Sequence, residues 1–600
     1  MSAVPLKSDE LMESGPDAPS ADSRSGGAPF VERRRELTFR AILFGCVAGS
    51  LLSAGNIYMG LKTGFIDGGS ITAALVGFAF FAMVKRLSPR TFGARENNIA
   101  QTTASSAAVM GFAIGLSSSM PALDMMGHAF PGWALALWGI ALGVLGIFVA
   151  STLREKLVRT EKLPFPTGAA TAEVIETIGA ARKTAMRRAL VLIGTAAFAA
   201  AFTWFRDGRP AVIPQGWMVS AVVAGVTLSS ITVGISWSPL MVSTGMLMGE
   251  RAAFSMLGGA ILGWVILAPQ IIHAGLIPSA SFSDCNSWLI WPGVGMLLGG
   301  SLVPLALDWR VVVRSFGDLG GFVSSAKATG SAAPVTVKGA KTMLIGAIGL
   351  MFALGIGVFH IGFVATLIGL VGAVVLANAC GRTAGETDYA PTGAFGTITQ
   401  LTLAGSGVVS SVVAGSVVAG ASAQASQTLW AFKAGDRLGA SPRAQLTAQL
   451  IGAVVGSVAS VPTYFVLVKA YGIATETLPA PSALSWRATA EAIQHGIGAL
   501  PKYSAFAGVL SFFVGIAFAV LARTRFAKFI PSAAAMGVSM IMPFSLSAAG
   551  CLGGLVLLVA KKVRPNSDAQ LMSIAAGSIA GESIMGVIIA ALISLKILGP

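Results

Sequence analysis

The chain has 600 residues, of which 54% are hydrophobic and 11% are charged, and its mean hydropathy is +0.76. A soluble protein of this length carries roughly a quarter charged residues, so the composition excludes a soluble globular class and indicates a multi-pass membrane protein in a lipid bilayer. The net charge of +15 lies in short basic clusters between apolar runs, without interleaved aromatic residues, which favours topology signals and argues against nucleic-acid binding.

The first 35 residues are rich in Ser, Pro, Gly, Asp and Glu and end at a basic run. This composition predicts a disordered cytoplasmic tail over residues 1–35, and no cleavable secretory signal is apparent. The four cysteines are scattered without metal-ligand spacing, so we expect neither a disulfide framework nor a metal site.

Apolar runs of about twenty residues predict membrane-spanning helices along the remaining chain. The strong runs are 39–60, 70–84, 131–153, 187–205, 217–236, 252–274, 288–308, 342–357, 360–379, 445–469, 503–522 and 570–597. Weaker runs, rich in small residues and broken by polar ones, are 97–119, 163–180, 237–250, 395–418, 420–434 and 531–560. The predicted fold is an all-α polytopic membrane protein with about 14–16 transmembrane helices, including broken or re-entrant segments.

Two similar halves are expected, because Ser238–Gly259 aligns with Ile530–Cys551, which brings Pro239 opposite Pro531. The predicted organisation is a first transmembrane half over 36–310, a cytoplasmic linker over 311–340 and a second transmembrane half over 341–600. The basic flanks place the N-terminus in the cytoplasm. Segments 163–180 and 531–560 lie between basic flanks, and such broken segments point to a transport site between the halves.

Charged side chains within the apolar runs are candidate site residues, because each costs about 2.5–3.5 kcal/mol near the bilayer centre. Lys62 follows Asn56 and Tyr58 in the polar, glycine-broken stretch "GNIYMGLKTGF". Glu582 is a lone glutamate in a long apolar run, so its partner must come from another helix or it stays protonated.

Two carboxylate pairs and one amide stripe complete the candidates. Glu173 and Glu176 share a helical face, and paired carboxylates can hold a proton. Glu386 and Asp388 lie in "CGRTAGETDYAPTGAFG", where a carboxylate could carry a coupling proton or belong to an ordinary solvated loop. The stripe of Asn97, Asn98 and Gln101 indicates either an interhelical hydrogen-bond seam or the lining of a pathway for a peptide-like solute. Together, the two pairs and the stripe comprise Glu173, Glu176, Glu386, Asp388, Asn97, Asn98 and Gln101.

Enzymatic motifs are missing from the sequence. The four histidines are isolated, and there is neither an HExxH motif nor a nucleotide-binding phosphate loop. We therefore expect no cofactor and no ATP-driven step, so an ion gradient would supply energy for uphill movement. An intramembrane enzyme, which would need a nucleophile–base pair or metal ligands, and a passive channel or scaffold remain as alternatives.

The chain resembles the oligopeptide transporter (OPT) family, which includes the yellow-stripe-like metal-chelate branch. The motifs that carry the resemblance, in order, are "ELTFRAILFG" (Glu36–Gly45), "NIYMGLKTG" (Asn56–Gly64), "ENNIAQTTASSA" (Glu96–Ala107), "KLPFPTGAATAEVI" (Lys162–Ile175), "AGETDYAPTGAFGTITQL" (Ala384–Leu401), "MPFSLSAAGCLGGLV" (Met542–Val556) and "AAGSIAGESIMGV" (Ala575–Val587).

The resemblance implies a proton-coupled secondary transporter for small peptides or peptide-like metal chelates, with about sixteen spans built by duplication. It also implies a bacterial member in the cytoplasmic membrane, and it leaves the oligomeric state open. Asp67–Gly69 and Tyr389–Ala390 depart from the pattern of relatives, which bears on the substrate and not on the family.

Roles follow for the candidate residues. Glu582, Glu386, Asp388 and Glu173 are expected to partner protons or a substrate amine. The amide stripe, with Asn56 and Tyr58, would give hydrogen bonds to the solute. Lys62 would sit at the mouth of the pathway or pair with a carboxylate.

Overall fold

The fold is described from a computed structural model, over residues 36–83, 92–180, 182–223, 225–307, 340–496, 500–527, 529–564 and 568–598. The tail predicted for residues 1–35 and the linker residues 311–339 lie outside these ranges. Within them the chain is almost entirely helical, which confirms the predicted all-α class.

The described residues of the first half contain eleven helices. They are α1 (Phe39–Thr63), α2 (Ser70–Met83), α3 (Ala94–Ile114), α4 (Ser119–Met125), α5 (Gly132–Arg154, extended by a π-helical segment Glu155–Thr160), α6 (Pro166–Ala180), α7 (Arg182–Asp207), α8 (Pro239–Met248), α9 (Glu250–Ala260, extended by a π-helical segment Ile261–Leu267), α10 (Ala268–His273) and α11 (Phe282–Leu307).

Ten helices follow in that part of the second half that the structure describes. They are α12 (Ala340–Gly357), α13 (Phe363–Thr387), α14 (Thr392–Thr402), α15 (Val408–Arg437), α16 (Pro442–Tyr471), α17 (Pro481–His495), α18 (Ser504–Leu521), α19 (Ala533–Ile541), α20 (Phe544–Val563) and α21 (Asp568–Ser594).

Eleven continuous helical stretches in the described part of the chain are long and apolar enough to cross a membrane, and three shorter apolar helices accompany them. The protein is therefore an integral multi-pass membrane protein. A helix satisfies every backbone donor and acceptor within itself, which is what a hydrocarbon environment requires.

The run 217–236, predicted as a membrane-spanning helix, contains only a short 3-10 turn at Leu228–Ile231 in its described residues, and that prediction is wrong. It forms short antiparallel pairs between β1 (Gly216–Met218) and β4 (Gly234–Ser236), and between β2 (Val222–Val223) and β3 (Val226–Thr227). The run is rich in Val, Ile, Thr and Ser, and β-branched side chains favour extended backbone.

The predicted boundaries around residue 400 are also wrong. Instead of separate segments at 395–418 and 420–434, the structure has the short helix α14 and the single 30-residue helix α15. Between them Gly407 takes a φ of +91°, a conformation that glycine adopts without steric cost. The small residues of α15 hid its continuity because they lower its hydropathy.

The helices pack as two groups, and each group is formed by two separate stretches of the chain. The first helix group contains α1–α6 and α12–α17, which centre on α3 and α15. The second helix group contains α7–α11 and α18–α21, where α7 packs along α21 and α11 packs along α18. Each predicted half of the chain thus contributes helices to both groups.

The central helices α3 and α15 are enclosed by other helices. In their most apolar windows 94% of the α3 residues and 89% of the α15 residues are buried inside the protein. Such helices contact protein and not lipid, so they can carry amides and hydroxyls that a lipid-facing helix would not tolerate. This explains why both segments looked weak in the sequence.

Glycines set the close packing of the second helix group. Gly581 of α21 lies against the carbonyl of Ala196 in α7, and Gly299 of α11 lies against the carbonyl of Phe512 in α18. A Cβ at either glycine would collide with that backbone. Small residues that allow such approach stabilise helix pairs in membranes, where hydrophobicity alone gives little drive.

The aligned segments of the two halves have the same local form. The hydroxyl of Ser238 accepts from the N–H of Met241 at the start of α8, and that of Ser532 accepts from the N–H of Ala535 at the start of α19. A break and a second helix follow each short helix. The matching caps align Ser238 with Ser532, two residues away from the register of the sequence alignment, and the duplication of two similar halves stays a prediction.

Candidate functional site

A fully buried carboxylate, Glu582, lies at the centre of an ion cluster contributed by three other elements. Its Oε1 accepts from the ammonium of Lys62 (3.0 Å), the guanidinium of Arg206 (3.1 Å) and the hydroxyl of Ser238 (2.8 Å). Glu582 is 0% exposed, so these groups replace the water that a carboxylate otherwise needs.

The second oxygen of Glu582 binds the N-terminus of α8. The backbone N–H of Leu240 donates to Oε2 at 2.8 Å, while the Ser238 hydroxyl caps the same helix. The first N–H groups of a helix have no partner within the helix and carry its positive dipole end. Glu582 therefore joins α21 to the start of α8, a half-length helix that begins inside the protein.

The cluster is electrically balanced by a second carboxylate. Arg206 also donates from Nε and Nη2 to Asp207, at 2.8 and 2.6 Å. The ammonium of Lys62 donates to the hydroxyl of Tyr58 at 3.0 Å, and Tyr58 itself is buried. Two cations and two carboxylates thus form one cluster in which Lys62, Arg206 and Glu582 are buried and Asp207 is partly exposed. An unpaired charge in its buried part would be very costly.

These contacts can be compared with two expectations from the sequence, the partner of Glu582 and the position of Lys62. The lone Glu582 finds its partners on other helices, at the ends of α1 and α7. Lys62 pairs with this carboxylate and does not stand at a mouth. Arg206, Asp207 and Ser238 were missed, because "WFRDGRP" and "ISWSPL" read as the flanks of apolar runs.

A cavity of about 520 Å³ opens between the two helix groups. Its wall combines the loop before α2 with parts of α6 and α15 from the first group and parts of α7, α8 and α21 from the second. The polar and charged groups on this wall are Asp67, Ser70, Thr72, Thr167, Glu173, Arg188, Gln427 and Ser573.

Asn56 lies behind the cavity wall and holds the backbone of Asp67, which is part of that wall. Its amide nitrogen donates to the carbonyls of Asp67 (2.7 Å) and Ala108 (2.9 Å), and its oxygen accepts from the N–H of Asp67 (3.3 Å). The Asp67 carboxylate faces the N–H of Gly69 and the hydroxyl of Thr72 at the start of α2. Asn56 was expected to contact a solute, but its amide is used in holding the Asp67 loop.

The predicted broken segments 163–180 and 384–396 lie against each other. The carboxylate of Asp388 accepts from the N–H and the hydroxyl of Thr167, at 3.0 and 2.7 Å, and so caps α6. The N–H of Phe165 donates to the carbonyl of Gly385 at 2.9 Å. Because Thr167 also lines the cavity, Asp388 holds one wall of that cavity in place.

The remaining carboxylate candidates, Glu173, Glu176 and Glu386, are exposed and lie at different places in the structure. Glu173 is exposed and lines the cavity. Glu176 is exposed and pairs with Arg437 at 3.0 Å, so the structure gives it a cation and not a second carboxylate. Glu386 lies on the surface, 3.8 Å from Arg382.

The amide stripe on α3 is buried away from the cavity. Gln101 donates to the oxygen of Asn98 at 3.0 Å, and Asn97 donates to the carbonyl of Ala74 at 3.2 Å. Only the Asn97 bond joins two helices, α3 and α2, and the other bond lies within α3, while none of the three amides lines the cavity. The cavity amide is instead Gln427 of α15, which donates to the hydroxyl of Ser70 at 3.1 Å.

Gln427 was missed by sequence reasoning. It lies in "SAQASQTLW", one of several amides among small residues, and nothing in the pattern separates it from buried neighbours such as Gln424. For metals, the described ranges contain no group of three or more His, Cys, Asp or Glu side chains placed to hold an ion.

Comparisons with known proteins find similar sequences over most of the chain. The family model described as "OPT oligopeptide transporter protein" covers residues 36–593. A "putative oligopeptide transporter" of Saccharomyces cerevisiae is 25% identical, with 92% of this chain and 95% of that protein aligned. A metal-nicotianamine transporter of Arabidopsis thaliana is 25% identical, over 92% of each chain. An iron-phytosiderophore transporter of Oryza sativa subsp. japonica is 25% identical, over 92% of this chain and 90% of that one.

Proposed function

We propose, from the premise that the chain belongs to the OPT oligopeptide transporter family, that this transporter takes up small zwitterionic peptides by proton-coupled alternating access. The observation that carries the proposal is the cavity between the two helix groups, together with a single helix, α21, that joins it to the buried ion cluster. In this proposal the protein lies in the cytoplasmic membrane of a bacterium, with its N-terminus inside.

The cavity has the size and polarity of a small-peptide site. Its volume of about 520 Å³ lies within the roughly 300–1,000 Å³ usual for small-molecule sites. Glu173 and Asp67 provide negative charge and Arg188 provides positive charge on the same wall. A peptide with free ends carries one ammonium and one carboxylate, and both find an opposite charge there.

Alternating access would use the two helix groups as the moving parts. The cavity lies where they meet, so a small rotation of one group against the other would close one entrance and open the other. Wall residues Thr167 and Gln427 belong to the first group, whereas Arg188 and Ser573 belong to the second. A peptide held by both sides would therefore favour a particular relative position of the groups.

The coupling proton is assigned to Glu582. Ser573 lines the cavity, and Glu582 lies nine residues further along α21, which is about 14 Å of helix. Lys62 and Arg206 favour the charged carboxylate while the cluster is closed, so Glu582 would take up the proton in a state of the transport cycle in which α8 has moved away from α21. The bound proton would then stabilise that state, in which the second helix group has a different shape.

A chelate of a metal with a peptide-like ligand is the second candidate substrate. Aminocarboxylate chelates share the carboxylate and amine groups of a peptide, and several relatives are named as metal-nicotianamine transporters. The same mixed-charge wall would bind such a chelate as a whole.

The test is uptake of labelled trialanine by the purified full chain in proteoliposomes. We expect accumulation above equilibrium with an inward proton gradient, and its loss with a protonophore. Uptake that a protonophore leaves unchanged would refute the coupling. Flux that never exceeds equilibrium would favour the passive-channel alternative, and cleavage of the peptide without transport would favour the intramembrane enzyme. Competition by a panel of metal chelates separates the two substrate classes.

A further inference from the structure

A second cavity, of about 640 Å³, lies between α11 and α17 and is separate from the one that faces α21. Side chains from the first turns of α11 form one wall, and the face of α17 forms the other. Its wall contains an aromatic ring, Trp291, above a packed apolar cluster that includes Ile290 and Leu484.

The second cavity lies at the C-terminal end of α1. There the N–H of Ala480, just before α17, donates to the carbonyl of Leu61 at 2.7 Å. Ala474 and Leu484, on either side of Ala480 in the chain, line the cavity. Because the charge pattern puts the N-terminus in the cytoplasm, the second cavity faces the outside.

Opposite charges lie side by side on the α17 wall. Arg487 and Glu491 are one helical turn apart, and Nε of the guanidinium donates to Oε1 of the carboxylate at 2.7 Å. His495 follows after another turn on the same face. The pair uses one carboxylate oxygen and leaves most of the five guanidinium N–H donors for a ligand.

The α11 wall presents a buried acceptor. Asn286 is only 5% exposed, and its side-chain oxygen has no hydrogen-bond partner among the residues that the structure describes. A buried polar atom of this kind normally has a partner, and leaving it unpaired costs about 1–3 kcal/mol. A ligand N–H in the cavity would satisfy it.

We infer that this outward cavity is a capture site for the charged amino and carboxylate ends of the substrate, a role that rests on the proposed function. The ligand carboxylate binds the guanidinium of Arg487, since this planar group matches a carboxylate. The ligand ammonium binds Glu491, and a ligand N–H donates to Asn286. A purely anionic or purely cationic solute would meet one unfavourable charge in the pair, so a zwitterion fits best.

The test separates capture from transport. Uptake of trialanine and of N-acetyl-trialanine amide, which lacks both charges, is measured for the wild type and for R487Q and E491Q. Loss of one partially exposed ionic contact should raise KM for trialanine about fivefold, with an unchanged maximal rate. KM for the blocked peptide should stay the same in all three proteins.

The charge-swapped double variant, R487E with E491R, is the control for loss of folding. It keeps a pair of opposite charges on the same turn, so it should restore the KM of wild type for trialanine to within about twofold, because a zwitterion can bind in the reversed sense. Thermal melting of each purified variant identifies any that fail to fold.

Two failures are distinguishable. Wild-type uptake of trialanine with KM unchanged in both single variants would overturn the capture site and leave the transport function standing. No wild-type uptake of any peptide or chelate would overturn the proposed function, and the capture site with it.

Discussion

Replacement of Glu582 by glutamine is the sharpest test of the buried cluster. The variant keeps the shape of the side chain but removes the charge that neutralises Lys62 and Arg206. The amide nitrogen of glutamine also cannot accept the N–H of Leu240, which the carboxylate accepts at 2.8 Å. The change therefore leaves one excess positive charge and one unpaired donor in a site with no exposure.

The expected loss of stability follows from these two defects. Removing one partner of a buried ion pair costs about 3–5 kcal/mol, and an unsatisfied buried donor costs about 1–3 kcal/mol. The two costs overlap because both arise at one carboxylate, so we expect about 3–5 kcal/mol in total. Gradient-driven accumulation of substrate should be lost as well.

A double variant isolates the charge effect. Lys62→Met removes one positive charge with nearly the same side-chain length, so E582Q with K62M leaves Arg206 and Asp207 as a balanced pair. The double variant should be more stable than the sum of the two single changes predicts, by about 1 kcal/mol or more. Glu155→Gln is the matched control, since Glu155 is an exposed carboxylate that also pairs with an arginine, at 3.7 Å.

The assay is unfolding of the purified protein in mixed detergent micelles, with transport measured on the same preparations. A midpoint for E582Q equal to that of wild type and of E155Q would refute the reasoning, because a buried, balanced cluster cannot lose a charge without cost. Unchanged proton-driven accumulation in E582Q would remove Glu582 from the coupling step.

Three further predictions concern the cavity and the helix packing. Asp388→Ala removes the carboxylate that accepts from Thr167 and caps α6, which should cost about 1 kcal/mol and speed proteolysis near Thr167; equal cleavage rates for the variant and wild type would contradict the cap. Gly245→Val should prevent folding, because any Cβ there meets the carbonyl of Gly550, and a normal yield of monodisperse protein would disprove that close approach. Gln427→Leu keeps the volume but removes the cavity amide, so KM for trialanine should rise about three- to tenfold, whereas the same change at the stripe residue Gln101 should leave KM unaltered; equal effects at both positions would argue against the assignment of the cavity.

The sequence around Glu582 predicts that this carboxylate has a partner, but it does not identify the partner. A lone Glu582 in an apolar run signals a partner, because hydrocarbon does not tolerate an isolated carboxylate. The identity of that partner depends on which helices meet, and Lys62 and Arg206 are 520 and 376 residues away along the chain. Arg206 lies at the end of its helix, where its charge read as an ordinary flank.

The amides show the opposite case. Asn97, Asn98 and Gln101 form a polar stripe that suggested a pathway, yet they lie within the enclosed helix α3. Gln427 gave no distinctive pattern and lines the cavity. Amide side chains serve equally well in helix contacts and in a solute site, so their type does not tell which of the two surrounds them.

The sequence by itself determined the class of the protein, the family and most helices, because long apolar runs have a single stable form in lipid and the motifs occur in a characteristic order. It failed at residues 217–236, where an apolar run rich in β-branched residues folds as short strands. Only the tertiary structure decided which helices enclose α3 and α15, which groups surround the cavity and which cations meet Glu582. Those arrangements depend on contacts between residues hundreds of positions apart, and no local pattern encodes such distances.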